Sequence, residues 1–219
     1  MRIPQPIIMA TRNPGKLREI VEVLAPLGLQ VVGLDDYREL PEPPETGGTF
    51  AENACLKAAY YARKTGRWCL ADDSGLEVDA LEGRPGVQSA RYAADQCPPG
   101  AGRQGVDAAN NARLLRELAD VPAERRTARF VCHLVLAGPG GVLAGPGQVL
   151  AEAFDTVEGS IGYQPRGANG FGYDPLFCLP QMGCTSAELS VQQKNRISHR
   201  GKALAHLAGL LAGLVRRGA

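Results

Sequence analysis

A short apolar run, Ile7-Ile8-Met9-Ala10, is followed by Leu17, Ile20, Val21 and Leu24 on one helical face, by Gly28 as a helix stop, and by Val31 and Val32 as a second apolar pair. A strand, a helix and a second strand in that order commit the chain to α/β architecture, because each element must bury its apolar side against the next. The rest of the chain fits that start. Loop 41–48, rich in proline and glycine, carries Glu42 and Glu45 and ends at Thr49, which opens a helix running to about Lys64; Thr49 and Glu52 have the spacing of a capping box. Trp68-Cys69-Leu70-Ala71 is a short apolar strand, and residues 76–80 are strand-like after it, with Gly83-Arg84-Pro85-Gly86 as a turn.

Beyond that turn, residues 97–102 lack periodicity and predict a surface loop, whereas residues 106–119 are helical with Leu114, Leu115 and Leu118 inward. Residues 130–136 form the clearest strand of the second half. Gly138-Pro139-Gly140-Gly141 is expected to turn it back toward Val142 and Leu143, with residues 148–154 continuing as strand. An antiparallel meander is thus added to a parallel opening, which predicts a mixed, twisted sheet flanked by helices. Ser190 and Gln193 can cap a short helix, and Leu204, Leu207, Leu211 and Leu214 mark one face of a final one. No repeat or long linker divides the chain, so residues 1–219 are expected to form a single domain.

The charge balance, 24 Lys and Arg against 23 Asp and Glu, gives a net charge of +1 and provides no global field toward nucleic acid or a membrane surface. Six scattered cysteines lack CxxC pairs and zinc-ligand spacing, which predicts reduced, mostly buried thiols. The run 7–10 is too short for a signal-peptide core, and residues 203–215 are too few for a membrane span. A soluble cytoplasmic protein is the expectation.

Chemistry concentrates in four places. Asp72-Asp73-Ser74-Gly75 follows the strand at Trp68, and two adjacent carboxylates there invite a hard divalent cation, although a simple turn would also accept these residues. Thr11-Arg12-Asn13-Pro14-Gly15-Lys16 joins strand to helix with Asn13 as N-cap and Pro14 at the first helical position, so its amides and Lys16 suit a phosphate; a capped helix with an exposed lysine would look the same. Ser198-His199-Arg200-Gly201-Lys202 places cations at a second helix start, against the dipole, which makes a polyphosphate the natural guest, although a solvated helix end would carry the same residues. Gly167-Ala168-Asn169-Gly170-Phe171-Gly172-Tyr173-Asp174-Pro175 lets backbone approach a flat ligand, with Phe171 as a stacking face; Phe171 and Tyr173 would serve equally as core aromatics. Together these describe a nucleoside triphosphate and its metal.

Six ordered motifs carry a resemblance that spans nearly the whole chain. They are Ala10-Thr11-x-Asn13-x-Gly15-Lys16, Glu45-Thr46-Gly47-x-Thr49-Phe50-x-Glu52-Asn53-Ala54, Ala71-Asp72-Asp73-Ser74-Gly75-Leu76, Ser89-Ala90-Arg91-Tyr92, Gly170-Phe171-Gly172-Tyr173-Asp174-Pro175 and Ile197-Ser198-His199-Arg200-Gly201. The chain resembles the inosine/xanthosine triphosphate pyrophosphatase family. That resemblance implies hydrolysis of ITP, dITP and XTP to monophosphate and pyrophosphate with magnesium (Mg2+), in a two-lobed homodimer with a central substrate cleft. It assigns Thr11, Arg12, Asn13, Pro14, Gly15 and Lys16 to the triphosphate, Glu45 and Asp73 to magnesium, and Asp73 also to proton acceptance. Ser74, Phe171, Gly172, Tyr173, Asp174, Lys194, His199 and Arg200 would contact the substrate. Asp72, Lys57 and Glu52 are secondary candidates, since helix exposure explains Lys57 and capping explains Glu52. A broader nucleotide phosphohydrolase and a nucleotide-binding regulator without turnover are the competing functions. Gln192 and Gln193 stand where acidic residues are common in the family, and loop 97–105 is longer and richer in proline and glycine than expected.

Overall fold

The computed structural model describes residues 5–98, 100–140 and 149–217. In chain order the main elements are β1 (Ile7–Met9), α1 (Pro14–Leu24), β2 (Val31–Val32), α2 (Phe50–Thr65), β3 (Cys69–Val78), α3 (Arg103–Glu117), β4 (Thr127–Ala137), β5 (Val149–Ile161), β6 (Phe177–Leu179), β7 (Cys184–Thr185), α4 (Val191–Ile197) and α5 (His199–Arg217). The strands hydrogen-bond in the order β2-β1-β3-β4-β5-β6-β7. β1 runs parallel to β2 and β3, while β6 is antiparallel to β5 and β7, so the sheet is mixed. The α/β class expected from the opening is the class observed.

The chain divides into two compact units, Met1–Asp73 with Cys132–Asp155 and Arg200–Ala219, and Ser74–Val131 with Thr156–His199. In the first unit the period-2 alternation of the strands builds two cores. Ile7, Met9, Leu70, Cys132, Leu134 and Leu136 point to one face, where Ile20 and Leu24 of α1 and Ala203, Leu204, Leu207 and Leu211 of α5 cover them. Ile8, Cys69, Ala71, Val135 and Ala137 point to the other, where Ala54, Ala58, Tyr61 and Ala62 of α2 pack. The second unit has its own core, in which Leu76, Val78, Leu114, Leu118, Tyr173, Leu176 and Phe177 meet.

Local signals account for the helix ends. Asn13 caps α1 by accepting from the N–H groups of Gly15 and Lys16, and Gly28 adopts φ 70° after it. The capping boxes of Thr49 with Glu52 and Ser190 with Gln193 are both formed. Other expectations change. β3 does not stop before Asp72: it runs through Asp72-Asp73-Ser74-Gly75, because buried sheet pairing overrides the turn propensity of those residues. β5 extends to Ile161, well past the expected 154, and β6 and β7 are too short to signal themselves in the sequence. The strand pair expected at Val142 and Leu143 lies outside the described residues. All six cysteines are unbridged; Cys69 and Cys132 are buried and the other four only partly so. Among the described residues no helix is long and apolar enough to cross a membrane.

In the second unit β5 passes very close to β6. A Cβ added at Gly159 would stand 2.4 Å from the Cys178 carbonyl oxygen and 2.6 Å from Cζ of the buried Phe177. Gly159→Ala is therefore expected to destabilise by about 1–3 kcal/mol through overpacking, readable as a lowered thermal midpoint.

Candidate active site

The adjacent aspartates of β3 serve opposite faces of the strand. Asp72 has the parity of Leu70 and so points to the side covered by α1 and α5; Asp73 has the parity of Cys69 and Ala71 and points to the side of α2. They form two sites rather than the single carboxylate pair that adjacency in the sequence suggested.

Asp72 is buried at the openings of two helices. Lys16 Nζ, in the first turn of α1, lies 2.5 Å from Asp72 Oδ1. Arg200 Nε, in the first turn of α5, lies 2.8 Å from Asp72 Oδ2, and Arg200 Nη1 reaches Glu19 Oε2 at 3.2 Å. Burial alone would push the Asp72 carboxyl up, but the two cations hold it well below the usual carboxylate range. Asp72 thus places negative charge beside both cationic helix starts. Arg200 is buried, with its guanidinium on Asp72 and Glu19.

Asp73 lies in a different electrostatic setting. Lys57 Nζ, on α2, sits 2.7 Å from Glu45 Oε1, 3.6 Å from Asp73 Oδ1 and 3.3 Å from the Asp72 carbonyl oxygen. Burial pushes the Asp73 carboxyl up to about 6; Lys57 opposes that, while Glu45 and Asp72 reinforce it. The Lys57 ammonium is penalised by burial but raised overall by Asp73, Glu45 and Asp72. Asp73 Oδ2 is buried and has no hydrogen-bond partner. Among the described residues no group of three or more His, Cys, Asp or Glu side chains converges as metal ligands. Magnesium does not require one, since it binds through one or two carboxylates with water and substrate phosphates completing the shell. Two carboxylates converging on one cation, with a carboxylate oxygen to spare, fit it.

The segment before α1 is arranged by its own side chains. Thr11 Oγ1 accepts from the Asn13 N–H at 3.1 Å, and Asn13 Oδ1 accepts from the Gly15 N–H at 2.9 Å. Pro14 opens the helix. The N–H groups of Asn13, Gly15 and Lys16, three of the amides expected to face a phosphate, are therefore already engaged. Arg12 reaches away to the Leu40 carbonyl oxygen at 2.8 Å and to Glu42 at 3.3 Å. Glu52 is spent on its cap, with Oε2 accepting from the N–H groups of Gly48 and Thr49.

In the second unit the glycine-rich loop is held from several sides. Asp174 is buried; its Oδ2 accepts from the Phe171 N–H at 2.8 Å and pairs with Lys194 Nζ. Lys194 Nζ also lies 5.0 Å from the centre of the Phe171 ring, which is 39% exposed. Phe171 thus stays partly exposed, whereas Tyr173 is a core residue whose hydroxyl donates to the Ser89 carbonyl oxygen at 2.9 Å. Of the two uses open to these aromatics, Tyr173 takes the structural one. His199 is buried and stacks on Phe130 with ring centres 5.0 Å apart, beside a small pocket that Lys194 and Ser198 also line. Ser74 is partly buried in β3.

Sequence reasoning passed over several residues of these clusters. Asp107 Oδ2 accepts from the Gly172 N–H at 2.9 Å and Asn111 Nδ2 donates to the Gly172 carbonyl oxygen at 2.9 Å, so two side chains four apart on α3 clamp both polar groups of one glycine. Their i,i+4 spacing on an otherwise polar helix face was the available signal. Arg103 places its guanidinium 4.8 Å from the centre of the Phe171 ring, and Glu19 completes the surroundings of Arg200; neither sits in a motif.

Comparison with known proteins places this arrangement in context. A model described as the Ham1 family matches residues 7–210. A protein of Nitratidesulfovibrio vulgaris named dITP/XTP pyrophosphatase is 54% identical over 206 residues, covering 93% of this chain and 94% of its own. One of Exiguobacterium sibiricum with the same name is 52% identical over 205 residues, covering 94% and 96%. A HAM1 protein structure from Coxiella burnetii is 38% identical with a TM-score of 0.83, covering 96% of this chain and all of that one. On sequence and structure alike, the chain belongs to the Ham1 family.

Proposed function

We propose that the chain is a nucleoside-triphosphate pyrophosphatase that hydrolyses the non-standard purine nucleotides dITP, XTP and ITP to the monophosphate and pyrophosphate. The observation that carries this is Asp73, a buried carboxylate with one oxygen unpartnered, its proton affinity raised, beside Glu45 and Lys57. The relatives named dITP/XTP pyrophosphatase, about half identical over nearly the full length, supply the substrate class. A cytoplasmic homodimer acting on small nucleotides, without nucleic acid or membrane, completes the proposal.

Splitting the bond between the α and β phosphates requires an in-line water and neutralisation of charge on the leaving pyrophosphate. Asp73 takes the proton of that water. Glu45 and Asp73 would hold magnesium, which would supply positive charge at the phosphates. Lys16 and Lys57 add fixed positive charge, and Asp72 keeps Lys16 and Arg200 in place. The nucleoside falls to Phe171, Gly172, Asp174, Lys194 and His199. Hypoxanthine and xanthine present an oxygen acceptor where adenine presents an amino donor, so a site donor is satisfied by the former and left unpaired by ATP.

Incubation with ITP, dITP, XTP and ATP plus magnesium, with separate assays for pyrophosphate and orthophosphate, tests this. Pyrophosphate from the first three, ATP slower by at least about 100-fold and loss of turnover on chelation are expected. Orthophosphate as the released product would replace this reading with a broader phosphohydrolase. Magnesium-independent binding without turnover would indicate a regulator.

A further inference from the structure

Asn53, the fourth residue of α2, is fully buried. Its Oδ1 accepts from the Gly47 N–H at 2.8 Å, which fixes the amide so that the nitrogen is directed elsewhere. That nitrogen, Nδ2, is buried and has no hydrogen-bond partner. An isolated buried donor is costly, and proteins keep such groups where something else provides the acceptor. Gly47 is pressed against the same side chain, since a Cβ there would stand 2.8 Å from Asn53 Oδ1 and 2.7 Å from Glu52 Cβ. Loop 45–48 is therefore held against the Asn53 side chain.

The surroundings of that amide identify its guest. Lys57 follows Asn53 by four residues on α2 and shares its helix face, and Lys57 Nζ lies against both Glu45 and Asp73. Asp73 belongs to the strand face on which α2 packs and carries the other unpartnered atom of this region, Oδ2. We propose that Asn53 is a substrate-positioning residue whose carbonyl oxygen pins the loop bearing Glu45 while its amide nitrogen donates to a phosphate oxygen of the nucleotide. This rests on the reading that Glu45 and Asp73 serve a triphosphate. Backbone amides and Lys57 give charge attraction; a fixed neutral N–H gives direction, which an ammonium on a flexible stem does not.

The experiment follows the side-chain 15N–1H signals of Asn53, recognised by their proximity to the Gly47 amide, while the wild-type chain is titrated with magnesium alone and then with inorganic pyrophosphate and magnesium. A shift with pyrophosphate and none with magnesium alone is expected. Asn53→Asp keeps an acceptor for Gly47 but removes the donor, and is expected to raise KM for dITP by about 10- to 100-fold with kcat much less affected, while the buried carboxyl lowers the thermal midpoint. Signals that stay put through the pyrophosphate titration, or Asn53→Asp with a wild-type KM, would reduce Asn53 to a loop tie. Should Asn53→Asp fail to fold, the titration of the wild-type chain decides alone. Pyrophosphate release from dITP by the wild-type chain tests the underlying reading separately.

Discussion

Asp73→Asn is expected to lower kcat for dITP by about 10²- to 10⁴-fold while leaving the fold at least as stable. The amide keeps the shape of the side chain but neither accepts the water's proton nor carries charge toward a cation. Its effect on stability has the opposite sign to most changes at a buried position. A carboxyl pushed up to about 6 by burial is favoured in its protonated form by the native state, so carrying it ionised at neutral pH costs stability that the amide does not. Lys57 keeps its closer partner, Glu45 Oε1 at 2.7 Å. Steady-state rates at saturating magnesium, together with urea unfolding, measure both halves. Normal turnover would move the proton acceptor elsewhere.

The neighbouring substitution reverses the pattern. Asp72→Asn is expected to destabilise the protein by about 3–5 kcal/mol, because it leaves buried Arg200, and Lys16 beside it, without their shared counter-charge. The pH dependence follows in sign. Asp72 is held below the ordinary carboxylate value near about 4, so its contribution is fully present above that pH and is lost as the pH falls through the lower folded value. The acid limb of stability in the wild type should accordingly be steeper than in Asp72→Asn, as urea titrations from neutral pH downward would show. A loss below about 1 kcal/mol would mean that Glu19 alone satisfies the Arg200 guanidinium.

Much of this was legible in the residues because the signals are local. The apolar runs at Ile7 and Val31, the caps at Asn13, Thr49 and Ser190, and the stop at Gly28 each act within a few residues, and each is found where expected. The course of β3 was not legible, since Asp, Ser and Gly argue for a turn and only the neighbouring strands argue against it. The same holds for ion pairing. Lys16 and Arg200 announced the need for an anion at two helix starts, but Asp72 is 56 residues from the first and 128 from the second, and no local pattern joins them. Asn53 was hidden in plain view within a motif, because its importance lies in which of its two polar atoms is already engaged.

The first unit draws its core from three separate stretches of chain, and the last of these is α5, whose Ala203, Leu204, Leu207 and Leu211 lie against Ile20 and Leu24. During synthesis the second unit is complete once His199 has left the ribosome, whereas Ile7, Met9 and Leu70, partly covered by Ile20 and Leu24 of α1, must wait for the final helix before their face is fully covered. Premature termination anywhere before that helix would leave a nascent sheet with one greasy side only partly covered, a substrate for chaperones and proteases rather than a partially working enzyme.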